Sequence, residues 1–351
     1  MNLTTSDLIP LIVITGFLGS GKTTLLRKLL TTDLGGETAV LINELGEIGI
    51  DHLLVGEIAP DTVLLQSGCV CCSIRGDLKD ALVQLYSRRQ KEEIPSFRRI
   101  ILETTGLADP APIFATVLAD PMLRHHLSLG VIIAVVDSFN AALHEQLHPE
   151  WMAQVTSADR LILTKTDLVP QENHDALRRH LRKINPAAEI MANVEVKERD
   201  PLLLSAGLHE STPESEAERW IRDFADPSRP EDEGADNHTG HADSEHPGVT
   251  SFCLVFDHQI DWTAFGLWLS MLLNRHGRSI LRVKGILNLS GIAYPIAIHG
   301  VQHLVHPPVH LSGWPDSDRR SRIVFIVRGI ERDAIERSLN TFCRCLGSNP
   351  V

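Results

Sequence analysis

A glycine-rich segment between a strand-like run and a helix-like run constrains the fold of this chain more than any other feature. The segment Gly16-Phe17-Leu18-Gly19-Ser20-Gly21-Lys22-Thr23 fits the pattern G-x-x-x-x-G-K-[ST]. The apolar run 11–14 precedes it, and the leucine-rich run 24–30 follows it. A strand before and a helix after are the context that a phosphate-binding loop requires. The alternative, a glycine turn with an incidental Lys-Thr pair, explains neither flank.

The residue types in this loop suit phosphate chemistry. Glycines at positions 16, 19 and 21 let the backbone curl so that several N–H groups converge on phosphate oxygens. The first turn of the following helix adds the positive end of its dipole. Lys22 brings a point charge to the β- and γ-phosphates, and the hydroxyl of Thr23 is suited to bind Mg²⁺. We therefore expect a nucleoside triphosphate bound with magnesium.

The first two hundred residues alternate apolar, strand-like runs with helix-like stretches. The strand candidates are 11–14, 39–42, 62–65, 99–102, 131–136 and 161–163. Their lack of polar alternation indicates strands that are buried on both faces. The pattern predicts an α/β fold: a P-loop NTPase domain with a mainly parallel sheet covered by helices on both faces.

Composition changes after residue 208. Residues 209–249 hold three Arg and twelve Asp or Glu with no Lys, a net charge of −9. Its later part, from Asp226 to Gly248, has no large apolar residue, which is typical of a flexible linker. Strand-like and helix-like runs then resume. We predict a P-loop domain at 1–208, an acidic His-containing linker at 209–249 and a smaller α+β domain at 250–346.

Charge and cysteine usage exclude several classes of protein. The whole chain carries 33 Lys or Arg against 45 Asp or Glu, a formal charge of −12, which disfavours a nucleic-acid partner. No apolar run approaches the ~20 residues of a membrane span, and the first ten residues lack a basic start. We expect a soluble, cytoplasmic protein. Its six cysteines then fit reduced thiols or a metal site better than disulfides.

Two further strand ends carry polar motifs. The run Ile100–Leu102 is followed by Glu103-Thr104-Thr105-Gly106, where the carboxylate can orient magnesium or its water and the Gly106 N–H can approach a γ-phosphate. The run 161–163 is followed by Thr164-Lys165-Thr166-Asp167, which is similar to the N-K-x-D motif of GTPases. There the carboxylate accepts two hydrogen bonds from guanine, so Asp167 favours GTP over ATP, with Lys165 packed along the base. The alternatives are a solvated strand-end acid at Glu103 and a capped helix after Thr164.

Three thiols lie within four residues at Cys69-Val70-Cys71-Cys72. Thiolates near a helix start ionise more readily, which favours metal binding. Soft sulfur ligands select zinc or related ions over magnesium, and three ligands leave a tetrahedral ion one position open. An open position suits catalysis or metal transfer rather than a structural site. Buried apolar cysteines remain the alternative.

Acidic residues after the second strand could complete either site. Glu44, Glu47 and Asp51 follow Asn43 in a segment where GTPases keep a switch loop, and they could serve the transition metal, magnesium or the attacking water. A solvated acidic loop is the alternative.

Taken together, these motifs resemble the CobW-like family of P-loop GTPases that act as metal chaperones. The resemblance rests on GFLGSGKTT at 16–24, NELGEIGID at 43–51, GCVCC at 68–72, ETTGLADP at 103–110 and TKTD at 164–167. The second domain is similar to the CobW C-terminal domain through RVKGIL at 282–287, HGVQ at 299–302 and RRSRIVFIVRG at 319–329. The ETTGLADP segment looks most like the zinc-chaperone branch.

The resemblance implies a slow GTPase that binds a metal and delivers it to a client metalloprotein. The expected cofactors are GTP and Mg²⁺, with Zn²⁺ as the metal and Co²⁺ as the alternative; the oligomeric state stays open. Catalysis falls to Lys22, Glu103 and Glu44. The implied nucleotide and metal sites comprise Gly16, Gly19, Ser20, Gly21, Lys22, Thr23, Thr24, Gly106, Thr164, Lys165 and Asp167 for GTP·Mg²⁺, and Cys69, Cys71, Cys72 and Glu44 for the transition metal. A metal store or sensor regulated by nucleotide is the second hypothesis.

The histidines leave two interpretations open. One group, at 238, 241 and 246, lies in the linker, and another, at 299, 303, 306 and 310, lies in the second domain. Histidine-rich tracts can collect metal, whereas ordinary polar surface explains the second group equally well. Cys343 and Cys345 fit a helix end, with metal binding as the alternative.

Overall fold

The computed structural model describes residues 8–30, 38–42, 63–66, 74–196, 248–314 and 317–345. Contacts divide the described residues into two compact units. The first unit runs to His180 and resumes at Ala188; the second takes Leu181–Ala187 together with the residues from 248 onward. The sequence-based boundaries at 208 and 250 fall outside the described residues and stay a prediction.

The first unit is built on a parallel sheet. Its strands are β1 Ile9–Gly16, β2 Thr38–Ile42, β3 Val63–Gln66, β4 Arg99–Glu103, β5 Leu127–Asp137, β6 Arg160–Thr164 and β7 Glu189–Ala192. They lie in the order β3-β2-β4-β1-β5-β6-β7, and every neighbouring pair is parallel. β1 is therefore central, between β4 and β5.

Helices connect these strands. Their described bounds are α1 Lys22–Leu30, α2 Ile74–Gln90, α3 Ala111–Ala119, α4 Pro121–His126, α5 Ala141–Leu147, α6 Pro149–Ser157 and α7 Gln171–Ile184, with a 3₁₀ turn at Thr166–Leu168. The helix α1 buries its leucines while β1, β2 and β6 are buried along their whole length. Strands that are apolar on both faces need cover on both faces, so the predicted P-loop α/β fold is confirmed.

The second unit is an antiparallel sheet with two long helices. Its elements are β8 Val249–Phe256, α8 Trp262–His276, β9 Ile280–Leu287, β10 Ile296–Val301, β11 Leu304–Val305, β12 Val309–His310, β13 Ser321–Arg328 and α9 Arg332–Cys345. The strand order is β11-β10-β9-β13-β8, and β12 also pairs with β10. Phe265, Trp268 and Phe325 lie in its apolar core, where Trp268 Nε1 donates to Ser338 Oγ at 3.1 Å. The predicted α+β second domain is confirmed.

The structure adds elements that the sequence did not predict. β7, β10 and the short strands β11 and β12 were missed. β7, β11 and β12 have no long apolar run, and His299 and Gly300 interrupt the apolar run of β10. Among the described helices, none is both long and apolar enough to cross a membrane.

Candidate functional site

The strand register brings the polar motifs of the first unit to one edge of the sheet. Glu103 at the end of β4 lies beside Ile14 of β1 and Ile42 of β2. On the other side of β1, Asp137 at the end of β5 pairs with Thr164 at the end of β6. Ligand sites of parallel α/β sheets form at the carboxyl ends of their strands. The candidate site is therefore this edge, centred on the loop after β1.

The loop after β1 has the backbone that a phosphate cradle needs. Gly16, Gly19 and Gly21 have φ of +140°, +72° and +95°, in a region that disfavours residues with a Cβ. A Cβ on Gly16 would also clash with the carbonyl oxygen of Val135. These glycines are thus required by conformation, and at Gly16 by space as well.

Lys22 is buried and points back into the loop. Its ammonium donates to the carbonyl oxygens of Gly16 and Phe17 at 3.0 and 3.2 Å. The carbonyl oxygen of Phe17 also accepts from the N–H of Ser20 at 3.2 Å. The cation is therefore held inside the loop, at the place where phosphate oxygens would compete for it.

Thr23 joins the loop to β4. Its hydroxyl donates to Glu103 Oε1 at 2.7 Å, and Glu103 is only 4 % exposed. A hydroxyl and a carboxylate are hard oxygen ligands of the kind that Mg²⁺ prefers. The two residues that the sequence assigned to magnesium are in contact, so the donor set fits this ion.

The segment after β4 is packed against the phosphate loop. A Cβ on Gly106 would lie 2.6 Å from the backbone N of Leu18. Gln154 in α6 is buried, and its Nε2 donates to the carbonyl oxygens of Gly106 and Ala108 at 3.1 Å each. Gly106 is thus held close to the loop, while its predicted approach to a γ-phosphate stays a prediction. Gln154, which sequence reasoning missed, fixes it there.

On the other side of the loop, Thr164 is bonded into the phosphate loop itself. Its buried hydroxyl lies 2.7 Å from the carbonyl oxygen of Ser20 and 3.2 Å from that of Val136. The side chain that replaces the usual Asn therefore ties the TKTD loop to the phosphate loop. Asp167 is exposed in the following 3₁₀ turn, and Thr24 is exposed on α1.

Asp137 holds the lysine of the TKTD motif. Lys165 has φ of +54°, and its ammonium donates to Asp137 Oδ2 at 2.6 Å. Burial alone would raise the pKa of Asp137, but hydrogen bonds from Lys165 and Asn140 outweigh it, so the pKa of this carboxyl lies below its usual value. Asp137 is therefore a buried anion that orients Lys165. Sequence reasoning missed it, although a carboxylate directly after a buried strand was the signal used for Glu103.

An aromatic stack supports the start of the phosphate loop. The ring of Phe17 lies 4.5 Å from the ring of His144 and 4.2 Å from that of His148, centroid to centroid. His144 is buried, and its Nδ1 has no hydrogen-bond partner among the described residues. Burial lowers the pKa of His144; Asp137 opposes that shift, while His148 and Lys165 reinforce it. A neutral imidazole thus packs against Phe17 of the phosphate loop. No motif in the sequence marks this contact.

Several predicted ligands lie outside the described residues. They are Glu44, Glu47, Asp51, Cys69, Cys71 and Cys72, and the linker histidines at 238, 241 and 246. Within the described ranges, no group of three or more His, Cys, Asp or Glu side chains is arranged to hold a metal ion. The thiol site therefore stays a prediction.

The chemistry-bearing residues of the second unit have ordinary surroundings. The rings of His299 and His306 are stacked 5.5 Å apart, and His303 and His310 are exposed. Burial raises the pKa of Cys343, which packs in the core of this unit. This thiol is therefore neutral and apolar in character, in line with the helix-end interpretation.

Comparison with known proteins follows the same division. The family model described as CobW/HypB/UreG, nucleotide-binding domain, matches residues 10–192, and that of the cobalamin synthesis protein CobW C-terminal domain matches residues 249–343. The zinc chaperone YjiA of Escherichia coli is 32 % identical over 320 residues, which cover 90 % of this chain and 92 % of that protein. The zinc chaperone CobW of Pseudomonas aeruginosa is 30 % identical over 95 % of this chain and 91 % of its own length.

Solved structures of a relative are similar over nearly the whole chain. The Zn(II)-bound YjiA GTPase from E. coli superposes with a TM-score of 0.70 at 26 % identity, covering 96 % of this chain and 99 % of that one.

Proposed function

The chain belongs to the CobW/HypB/UreG family of nucleotide-binding proteins and carries a CobW C-terminal domain, and on that premise we propose that it is a GTP-hydrolysing metallochaperone. Its cargo is a transition metal, zinc before cobalt, held by Cys69, Cys71 and Cys72 with Glu44. Its acceptor is a client metalloprotein. The observation that carries the proposal is the single sheet edge at which Glu103, the phosphate loop and the TKTD loop meet.

The phosphate side supports nucleotide hydrolysis. Lys22 would exchange the carbonyl oxygens of Gly16 and Phe17 for phosphate oxygens, because an anionic acceptor binds an ammonium more strongly than a neutral one. Thr23 and Glu103 would hold Mg²⁺, which supplies charge neutralisation when bound. Glu103 keeps the hydroxyl of Thr23 oriented toward the cradle. These residues bind and position the triphosphate.

The base side supports guanine. Asp137 holds Lys165, and the 3₁₀ turn that follows places Asp167 at the surface, where a guanine N–H pair can reach its carboxylate. Thr164 contributes a tether to the phosphate loop, so base and phosphate binding share one rigid connection.

Chain length limits how far the thiols can lie from this edge. The last residue of β3, Gln66, pairs with Ile42 of β2 at the carboxyl edge of the sheet. Cys69 is three residues further along the chain, and three residues span at most about 11 Å. A metal on these thiols would therefore lie within reach of the carboxyl edge, where GTP-dependent ordering of the chain can alter its ligands.

Zinc affinity measured with and without nucleotide tests the proposal. Competition with a zinc-binding dye should give a severalfold change in zinc affinity when GTP and Mg²⁺ are added, and linkage requires zinc to change GTP affinity by the same factor. Cys71→Ser should weaken zinc binding at least tenfold and leave GTP affinity near wild type. Lys22→Ala should keep zinc binding and lose the nucleotide effect.

Cys343→Ser is the matched control, because this thiol is buried in the second unit. Zinc binding that is unchanged in Cys71→Ser would refute the thiol site. Zinc and GTP affinities that are independent of each other would instead favour a metal store. The same titration with Co²⁺ decides between the two metals.

A further inference from the structure

A pocket of about 230 Å³ opens in the second unit between helix α8 and the β10–β11 hairpin. Its wall is mostly apolar, with Trp262, Leu269, Ile298 and Val305 among the lining residues. Trp262 and Val305 are 40 % and 39 % exposed, so the pocket is open to solvent. Its volume suits one large apolar side chain and the backbone on either side of it.

The elements that line this pocket carry charge of one sign. From Trp262 to Trp314, a range that contains both α8 and the hairpin, the sequence has three Arg, one Lys and five His but no Asp or Glu, although Arg282 and Lys284 are buried. Arg275 and Arg278 are exposed at the end of α8, and the exposed His303 lines the pocket itself. A Cβ placed on Gly277 would lie 2.7 Å from His303 Cβ, so the helix end that carries Arg275 and Arg278 packs beside His303 and forms a basic rim on that side of the pocket.

The nearest acid along the chain is already engaged. Asp261 is the N-cap of α8, and its Oδ1 accepts from the N–H of Ala264 at 2.7 Å. It satisfies the helix start and does not neutralise the rim at the other end of the helix.

We propose that this pocket binds an acidic peptide segment of a partner protein, with one apolar side chain in the pocket and flanking carboxylates against Arg275, Arg278 and His303. The basic rim selects acidic partners through charge complementarity, while the apolar pocket supplies the anchor. Assigning the segment to the client metalloprotein rests on the proposed function, whereas the binding of an acidic segment is argued from the pocket alone.

A substitution at Gly266 tests whether the pocket itself binds the peptide. Gly266 lines the pocket from α8, and a Cβ placed on it meets no heavy atom within 4 Å. The Cβ of Gly266→Leu therefore enters open space, so the substitution adds apolar bulk to the pocket and also improves helix propensity. Gly313→Leu is the matched control, because Gly313 has the same open space but does not line the pocket.

The probe is a fluorescein-labelled eight-residue peptide with a central Leu-Phe pair flanked by three Glu on each side. Two control peptides carry Ser-Ser in the centre or Lys in place of Glu. In fluorescence anisotropy with the full chain, the acidic apolar peptide should bind at least tenfold more tightly than either control. Raising NaCl from about 0.05 to 0.5 M should weaken binding, because the rim charges become screened.

Gly266→Leu should reduce peptide affinity at least tenfold, and Gly313→Leu should leave it within twofold of wild type. The double change of Arg275 and Arg278 to Glu should weaken the acidic peptide and favour the Lys peptide. Equal binding of all three peptides, or full affinity in Gly266→Leu, would overturn the proposal. Circular dichroism checks that each variant is folded.

Two further measurements address other occupants. Tighter binding of a peptide with the sequence 209–249 than of the probe would show that the pocket binds a segment of this chain, and it would overturn the proposal of a partner protein. A dimer in light scattering that disappears in Gly266→Leu would assign it to a second copy, with the same consequence. Zinc and GTP affinities of Gly266→Leu should equal those of wild type, so failure of the chaperone proposal and failure of this one are separately visible.

Discussion

The hydroxyl of Thr164 joins the two loops that flank the nucleotide site. It donates to the carbonyl oxygen of Ser20, and its Cγ2 is the nearest neighbour to a Cβ placed on Gly21, at 3.6 Å. Thr164 thus contacts the phosphate loop through both its hydroxyl and its methyl group.

Thr164→Val removes this hydroxyl at nearly constant volume. We expect a loss of about 1–3 kcal/mol in the free energy of unfolding, because the buried carbonyl of Ser20 loses a donor. GTP affinity measured by calorimetry should fall as well. Thr116→Val is the control, since Thr116 donates only to Pro112 within α3. It should lose stability with no change in GTP affinity; equal effects of both variants on GTP would contradict the tether.

His144 makes stability depend on pH. Its pKa in the fold lies below the ordinary value of 6.5, mainly because of burial, so the fold favours the neutral form. The stability that comes from burying neutral His144 is therefore complete above about pH 6.5 and is lost as the pH falls through the folded pKa. In urea unfolding between pH 7 and 5, the free energy of unfolding of wild type should fall by up to about 1.4 kcal/mol more per pH unit than that of His144→Phe, which keeps a stacked ring.

The exposed His258 of the second unit provides the comparison. His258→Gln should keep the wild-type slope below pH 6.5. An unchanged slope in His144→Phe would mean that another group titrates.

At the scale of elements, the stability of helix α8 in the second unit depends on its N-terminal cap. Asp261 caps α8, and removing an N-cap carboxylate costs about 1 kcal/mol in the free energy of unfolding. We expect Asp261→Ala to show this loss in urea unfolding. Asp257→Ala should change stability by less than about 0.5 kcal/mol, because its contact with Arg320 is exposed and 3.7 Å long. Equal losses in the two variants would argue against the cap.

The elements also show how far sequence reasoning reaches. Runs such as 131–136 and 161–163 are apolar without alternation, and this pattern predicts a buried parallel strand wherever the chain is that regular. β7 is only four residues long and mostly half-buried, so its local pattern carries little information. Contacts such as Phe17 with His144 depend on tertiary packing between distant residues, which no local pattern encodes.

The candidate site follows the same rule. Its phosphate loop, Glu103 and the TKTD loop could be found because each is a motif at a strand end. Asp137, Gln154 and His144 act on these motifs from the surrounding elements, and their residue types are common elsewhere in proteins. The residues proposed to bind nucleotide are thus visible in sequence, whereas those that position them are visible only in the fold.

At the scale of the whole molecule, the two units have separate cores. The second has its own apolar cluster, built from both helices and from β8, β9, β10 and β13. A fragment spanning 248–345 should therefore fold alone, with one cooperative thermal transition by circular dichroism. A fragment spanning 1–208 should bind GTP. Loss of cooperative unfolding in the first fragment would show that its core depends on the rest of the chain.

The central position of β1 has a consequence for synthesis on the ribosome. β1 is made first, yet its neighbours β4 and β5 begin at Arg99 and Leu127. At roughly 5–20 residues added per second, the apolar strand β1 stays unpaired for roughly 5–20 s before β4 or β5 has been synthesised. The nascent chain thus exposes an unpaired, aggregation-prone strand while the phosphate loop still lacks Glu103. Nucleotide can therefore assist folding only after β4 has emerged.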